Sequence, residues 1–256
     1  MTGTDDAVGY AAAVADQDNG LLLIDLEPDV GFPFSTVSIK SAHGGERRHL
    51  EGPVGGSPKR LADIIIAVVV LISMMPILIL VSFLIYLTMG RPIFFSHKRV
   101  GFNGTTFKCY KFRTMVGNAQ ERLAAHLRDN PRAAEEWRAY HKLKYDPRVT
   151  PLGTILRKSS LDEFPQLFNV LRGDMTCVGP RPVTTEELQR YGSSARCYMS
   201  TRPGLTGLWQ VSGRSNANYD HRVALDTKYV TDWSPLLDIK ILVRTIPAVF
   251  RFHESG

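Results

Sequence analysis

From Ile64 to Met89 the chain runs for 26 residues without a charge, IIIAVVVLISMMPILILVSFLIYLTM. As a straight helix that stretch is roughly 39 Å long, against a hydrocarbon core of ~30 Å. It is too long, and too far from the N-terminus, for a secretory signal. Globular helices seldom run so far without a charge, so the segment is read as membrane-inserted. Two features argue against a plain span. Pro76 sits at its middle, where it deletes a backbone hydrogen bond. Both flanks are basic: Lys40, Arg47, Arg48, Lys59 and Arg60 precede it, and Arg91, Lys98, Arg99, Lys108, Lys111 and Arg113 follow, with no acid between 90 and 113. Basic flanks mark the cytoplasmic side. A helix broken at Met75–Pro76 that enters and leaves one leaflet satisfies both facts; an ordinary Pro-kinked span stays open on the residues alone.

The charge is unevenly placed. Residues 1–39 hold seven acids and no Lys or Arg, within a total of 31 Lys+Arg against 25 Asp+Glu. The remainder thus carries about +13, which favours anionic partners such as phosphates or an acidic membrane face. Three cysteines, Cys109, Cys177 and Cys197, make an odd number without metal-ligand spacing, which excludes a disulfide scaffold and argues for a reducing compartment. The seven histidines show no ligand spacing either. The reading divides the chain into a disordered acidic tail and linker (1–58), a re-entrant membrane helix (59–90) and a folded domain (91–256) that carries the candidate chemistry below. Leu21–Leu26 is taken as a passing apolar cluster in the tail, with a short strand as the alternative. PIFFSHKRVGFNGTTFKCYKFRTM has the pattern of a hairpin. Residues 118–144 read as surface helices broken at Pro131, and 148–176 as helix, turn, helix. Near the C-terminus, Leu236, Leu237, Ile241, Ile246 and Phe250 form an expected stripe opposite Lys240 and Arg244.

Four stretches are candidates for chemistry. In Arg157-Lys-Ser-Ser-Leu-Asp-Glu163 the acidic pair falls near a helix start, where the dipole favours the carboxylate form. Ser160-x-x-Glu163 reads equally as a capping box, which needs no function. An ionised Asp162 beside Arg157 is also a plausible nucleophile toward phosphorus. Val178-Gly-Pro-Arg-Pro182 holds the Arg181 guanidinium between Pro180 and Pro182 on a stiff loop suited to phosphate, or simply forms a rigid turn. Arg202–Arg214, RPGLTGLWQVSGR, is by composition only a tight glycine loop. Lys108, Lys111 and Arg113 interleave with Phe107, Tyr110 and Phe112, giving an expected strand with one basic face. The doublets Glu135-Glu136 and Glu186-Glu187 read as solvated faces.

Taken together, KCYKFRTM (108–115), LRKSSLDEFPQLFNVLRGDM (156–175), VGPRP (178–182), RPGLTGLWQVSGR (202–214) and LLDIKIL (236–242) resemble the bacterial sugar transferases, the monotopic phosphoglycosyl transferases. The resemblance runs from about Lys59 to Phe250. It is greatest to the undecaprenyl-phosphate galactose phosphotransferases that begin exopolysaccharide repeat units. It implies a small, mostly helical α/β cytoplasmic core, a re-entrant membrane helix broken at Pro76, and interfacial amphipathic helices. Many relatives place a serine before the proline; here Met75 stands there, with Ser73 nearby. The implied location is the bacterial inner membrane, with the catalytic domain and both termini on the cytoplasmic side.

The resemblance also implies a reaction. Asp162 would attack the β-phosphorus of UDP-galactose or UDP-glucose, release UMP, and pass the sugar phosphate to undecaprenyl phosphate. Glu163 would position or deprotonate the lipid phosphate. Arg157 and Lys111 would hold phosphate oxygens, with Arg181, Pro180 and Pro182 at the nucleotide. Magnesium is expected at Asp162. Asp226 and Asp238 match acidic positions on the substrate side of the family's C-terminal part. An anionic lipid membrane is the expected surface, no nucleic-acid partner is expected, and a homo-oligomer is left open. Galactose-1-phosphate is the expected group, glucose-1-phosphate the competitor. A membrane-tethered anion-binding structural protein is the remaining reading, and it would not need the acidic pair.

Overall fold

The structure, a computed structural model, describes residues 12–16, 20–27, 36–41, 52–140, 142–212 and 219–250. The stretch read as a disordered tail contributes three strands, β1 (Ala12–Asp16), β2 (Gly20–Glu27) and β3 (Thr36–Ser41). They pair antiparallel in the order β1-β2-β3. The Leu21–Leu26 cluster therefore lies in the central strand, as its β-branched and apolar content allows. The rest of 1–51, like the 213–218 end of the glycine loop and the chain after 250, lies outside the described residues.

Helix α1 (Gly56–Met89) is 34 residues long and begins three residues before the expected boundary. It is helical on both sides of Pro76, the residue at which the sequence reading places its break. Proline at 76 removes only its own N–H, which would have met the Ile72 carbonyl. One missing bond is tolerable in so long a ladder. Ser73 does not reach that position; its hydroxyl donates to the Val70 carbonyl at 3.0 Å. Lys59, Asp63, Ala67, Leu71, Leu78, Val81 and Ile85 face the domain, at spacings of three, four and seven. Leu61, Ile65, Val69, Ile72, Ile79, Leu80, Phe83 and Leu87 are exposed. Only 22% of the most apolar 18-residue window is buried, which fits membrane association and not the core helix of a soluble fold.

Both ends of α1 are tied to one domain. At its start, Arg60 donates to the carbonyls of Val170 (2.5 Å) and Leu171 (2.8 Å). These are among the last carbonyls of a helix, which have no partner within it. At its end, Arg113 donates to the Met89 carbonyl. Next come β4 (Phe94–Val100) and β5 (Thr106–Phe112), an antiparallel hairpin turning through Asn103 and Gly104, both at positive φ. Two surface helices follow, α2 (Ala119–Asp129) and α3 (Pro131–Tyr140), split at Pro131 as expected.

The centre of the domain is α4 (Pro151–Lys158), a 3-10 turn (Leu161–Glu163) and α5 (Gln166–Arg172), leading to β6 (Thr176–Val178). Then follow α6 (Thr185–Gln189), α7 (Ala195–Met199), β7 (Gly204–Thr206), α8 (Leu208–Val211), α9 (Tyr219–Thr231) and α10 (Pro235–Phe250). β6 and β7 pair in parallel. Leu156, Leu167, Val170, Met175, Val178, Tyr229 and Ile241 pack in one core with Ala67, Leu71 and Ile85 of α1. The C-terminal stripe is placed differently from expectation. Ile241 is 1% exposed and faces the core, whereas Leu236, Ile239, Val243 and Ile246 are exposed on another face. The helix thus carries two apolar faces, and counting apolar spacing alone merged them.

Candidate active site

α4 begins at Thr150, whose side-chain oxygen accepts from the Gly153 amide (2.9 Å), with Pro151 in the first turn. Leu156 is 1% exposed and anchors the helix in the core. That anchor directs Arg157, in the last turn, toward the Thr114 hydroxyl, to which its Nε donates (3.0 Å). The chain then reverses through Ser160 at φ 56, a left-handed conformation that costs a non-glycine residue ~1 kcal/mol or more. Asp162 and Glu163 follow directly. The capping box read from Ser160 and Glu163 does not form: the Ser160 side chain makes no cap bond, and the Glu163 carboxylate turns away to Lys111. A capping box does form at Thr184 and Glu187, within the doublet read as a solvated face. Glu187 also pairs with Arg99 at 2.8 Å.

Asp162, Glu163, Lys111 and Arg157 come together from three elements. Lys111 Nζ stands 2.6 Å from Glu163 Oε1. Asp162 is 8% exposed. Burial pushes its carboxyl up to about 6 and the Glu163 charge adds to the rise, while Lys111 and Arg157 work against it. The result is a desolvated carboxylate, ionised at neutral pH, whose charge Lys111 and Arg157 favour. A weakly solvated anion of this kind is a competent nucleophile, and the cations beside it can offset charge on an incoming phosphate.

The basic face expected on β5 is not a single face. Alternation puts Lys111 with buried Cys109, while Lys108 is exposed on the other side. Arg113 is engaged in holding the end of α1. Asn169, which the sequence reading passed over, keeps the strand in place. Fully buried on α5, it accepts from the Tyr110 amide (3.0 Å) and donates to the Lys108 carbonyl (2.8 Å), acting as a partner for the strand edge. An amide inside the apolar run Leu-Phe-Asn-Val-Leu was the available signal, since a buried amide needs partners.

A second polar cluster lies at the VGPRP loop. The Arg181 guanidinium stands 5.8 Å from the Trp209 ring centroid and that of Arg222 stands 5.3 Å from it. Asp226 is 1% exposed, accepts from the Tyr191 hydroxyl (2.7 Å), and has its carboxyl pushed up to about 6 by burial. Trp209, Arg222 and Tyr191 were not singled out from sequence. Arg181 acts electrostatically on both Asp226 and Cys109, and Lys111 and Glu163 act on Cys109 as well. Pro180 and Pro182 flank Arg181 in the loop after β6. Asp238 is reached through Tyr229, whose hydroxyl also lies 2.7 Å from the Val178 carbonyl at the head of that loop. It binds Lys59 of α1 (2.5 Å), the Tyr229 hydroxyl (2.7 Å) and the Trp233 indole (3.2 Å), a link between helices.

The glycines of the VGPRP and RPGLTGLW stretches serve each other. A side-chain carbon on Gly204 would sit 2.1 Å from the Gly179 amide nitrogen, and one on Gly207 2.1 Å from the Gly179 carbonyl oxygen. The close approach that the glycines permit joins the two motifs backbone to backbone.

Such a site, a buried carboxylate whose charge two basic residues favour, on a domain packed against a long apolar helix, fits an enzyme that handles phosphorylated substrates at a membrane. The family model for bacterial sugar transferases matches residues 55–252. The chain therefore belongs to the bacterial sugar transferase family and is a sugar-phosphate transferase of exopolysaccharide synthesis. It is 53% identical over 197 residues to the exopolysaccharide production protein ExoY of Sinorhizobium fredii, covering 77% of this chain and 87% of that one. It is 48% identical over 193 residues to an undecaprenyl-phosphate galactose phosphotransferase of Salmonella typhimurium, covering 75% of this chain and 40% of the longer relative. It is also 38% identical over 200 residues to a UDP-glucose:undecaprenyl-phosphate glucose-1-phosphate transferase of Caulobacter vibrioides, covering 75% and 69%.

Proposed function

We propose that the chain transfers galactose-1-phosphate from UDP-galactose to undecaprenyl phosphate through a covalent intermediate on Asp162. The observation that carries this is the buried Asp162 carboxylate, whose charge Lys111 and Arg157 favour. An Asp162 oxygen attacks the β-phosphorus, the bond from that phosphorus to the bridging oxygen breaks, and UMP leaves with the electron pair. The sugar phosphate then sits on the carboxylate as an acyl phosphate. A phosphate oxygen of undecaprenyl phosphate attacks the same phosphorus and frees Asp162 unchanged. One phosphoanhydride replaces another, so no further energy source is needed. Lys111, held by Glu163, and Arg157, held by Thr114, balance charge on the phosphorus oxygens. Galactose is preferred to glucose because the galactose-named relative is 48% identical and the glucose-named one 38%.

Among the described residues no group of three His, Cys, Asp or Glu is poised to hold a metal. Magnesium does not require one, since it is commonly bound by one or two carboxylates together with substrate phosphates. Asp162 fits as that carboxylate, and the ion would offset diphosphate charge. The attachment of both ends of α1 to one domain, through Arg60 and Arg113, supports a re-entrant helix with its ends on the cytoplasmic face of the inner membrane.

The test is UMP release by the membrane fraction, with magnesium and undecaprenyl phosphate, from UDP-galactose and separately from UDP-glucose. Lipid-dependent release from UDP-galactose, abolished in Asp162→Asn, is expected. Release from UDP-glucose alone would reassign the sugar, and normal turnover in Asp162→Asn would refute the nucleophile.

A further inference from the structure

One cleft in the molecule is not used by this chemistry. It has a volume of about 230 Å³ and lies where α8, α9 and α10 meet. Leu208, Leu236 and Leu237 supply its apolar wall, and Lys228, Ser234 and Lys240 its polar one, together with Asp232. Neither Asp162, Lys111 nor Arg157 lines it. It is also smaller than the ~300–1,000 Å³ usual for a ligand-sized pocket, so a nucleotide sugar does not suit it.

Its charge and position select an occupant. Lys228 is already paired with Asp232 at 2.5 Å, so the two cancel. Lys240 has no ion-pair partner among the described residues and gives the cleft a net positive charge. On α10, Lys240 falls on the flank between the inward-facing Ile241 side and the exposed stripe of Leu236, Ile239, Val243 and Ile246. An exposed apolar stripe of this kind lies among acyl chains at a bilayer surface, with flanking lysines reaching to the head-group level. The cleft therefore opens where a lipid phosphate sits and its chains begin.

We propose that the cleft holds the phosphodiester head group of an anionic phospholipid, with Lys240 as its counter-charge and the acyl chains along the Leu236–Ile246 stripe. The site is separate from catalysis and rests on the membrane association of the chain, not on the identity of the sugar. Its role is to fix the tilt and depth of α10, and with it the α8–α10 side of the domain, against the membrane.

The experiment uses the purified full chain, equilibrated with equimolar phosphatidylglycerol and phosphatidylcholine, with retained lipid read by native mass spectrometry. The wild type is expected to retain phosphatidylglycerol in preference. Lys240→Gln should reduce that preference about fivefold, the factor equivalent to roughly 1 kcal/mol for one basic residue near an anionic surface. Arg244→Gln removes the same charge from the same helix outside the cleft and should leave the preference unchanged. An unchanged melting temperature certifies both variants as folded. Equal losses in the two variants, or no preference in the wild type, would overturn the site. Displacement of the lipid by millimolar inorganic phosphate would show a free-anion site, and displacement by undecaprenyl phosphate would assign the cleft to the acceptor; either overturns the proposal.

Discussion

Replacing Asp162 with asparagine should stabilise the protein while abolishing its activity. In the folded state burial holds the carboxyl near pH 6, against an ordinary value of 3.8. Between those values the folded protein binds a proton that the unfolded chain has released, so stability falls as pH rises through this window. Above about pH 6 the loss is complete. The difference of about two pKa units corresponds to about 3 kcal/mol. Asparagine occupies nearly the same volume without the charge, so at pH 8 the variant should be more stable by up to that amount. For a chain of this size, roughly 2–4 °C per kcal/mol gives a rise in melting temperature of about 6–12 °C. The assay is thermal unfolding of wild type and Asp162→Asn in the same lipid discs, with chelator, from pH 4 to pH 8. The gain should shrink steadily toward pH 4. A variant less stable than wild type at pH 8, or a gain independent of pH, would show that the carboxylate is not held at a desolvation cost, and the argument for a primed nucleophile would fail.

Four further outcomes are expected. The rate of UMP release should fall as pH drops below about 6, as Asp162 takes up its proton, and a flat profile down to pH 5 would contradict that assignment. Asn169→Leu should cost about 2–4 kcal/mol in denaturant titration, because two backbone groups of β5 lose their partner, and it should lower activity through Lys111. Gly204→Ala should yield little folded protein on size exclusion, since the added carbon would meet the Gly179 nitrogen. Asp238→Ala should cost about 3–5 kcal/mol by stranding Lys59, with kcat/KM per folded molecule kept; a selective rise in KM would instead place Asp238 at the substrate.

Much of this was legible because local chemistry leaves periodic or strongly typed traces. The apolar run 64–89, the hairpin around Asn103-Gly104 and the division at Pro131 each follow from propensity and pattern alone. Lys111, Arg157, Asp162 and Glu163, each singled out in the sequence, lie in one neighbourhood. What could not be read depends on partners distant in sequence. Whether Glu163 caps a turn or holds Lys111 is decided 52 residues away. The inward face of α10 is set by what packs on Ile241. That Asp238 is held by Lys59, 179 positions earlier, could not be read from its own neighbourhood. The glycines of 202–207 read as a tight loop, but that their close neighbour is the VGPRP backbone could not be read from them.

The polar foot of α1 bears on how the molecule is made. Asp63 accepts from the Thr176 hydroxyl (2.6 Å) and the Cys177 amide (2.9 Å), Arg60 closes the end of α5, and Ala67, Leu71 and Ile85 lie in the same core as Leu167 and Met175. During synthesis this helix leaves the ribosome before any of those partners exists. The domain emerging behind it closes its core on a segment already made. A fragment beginning after residue 90 would lack one wall of its interior, so the domain has no complete core without the helix that precedes it.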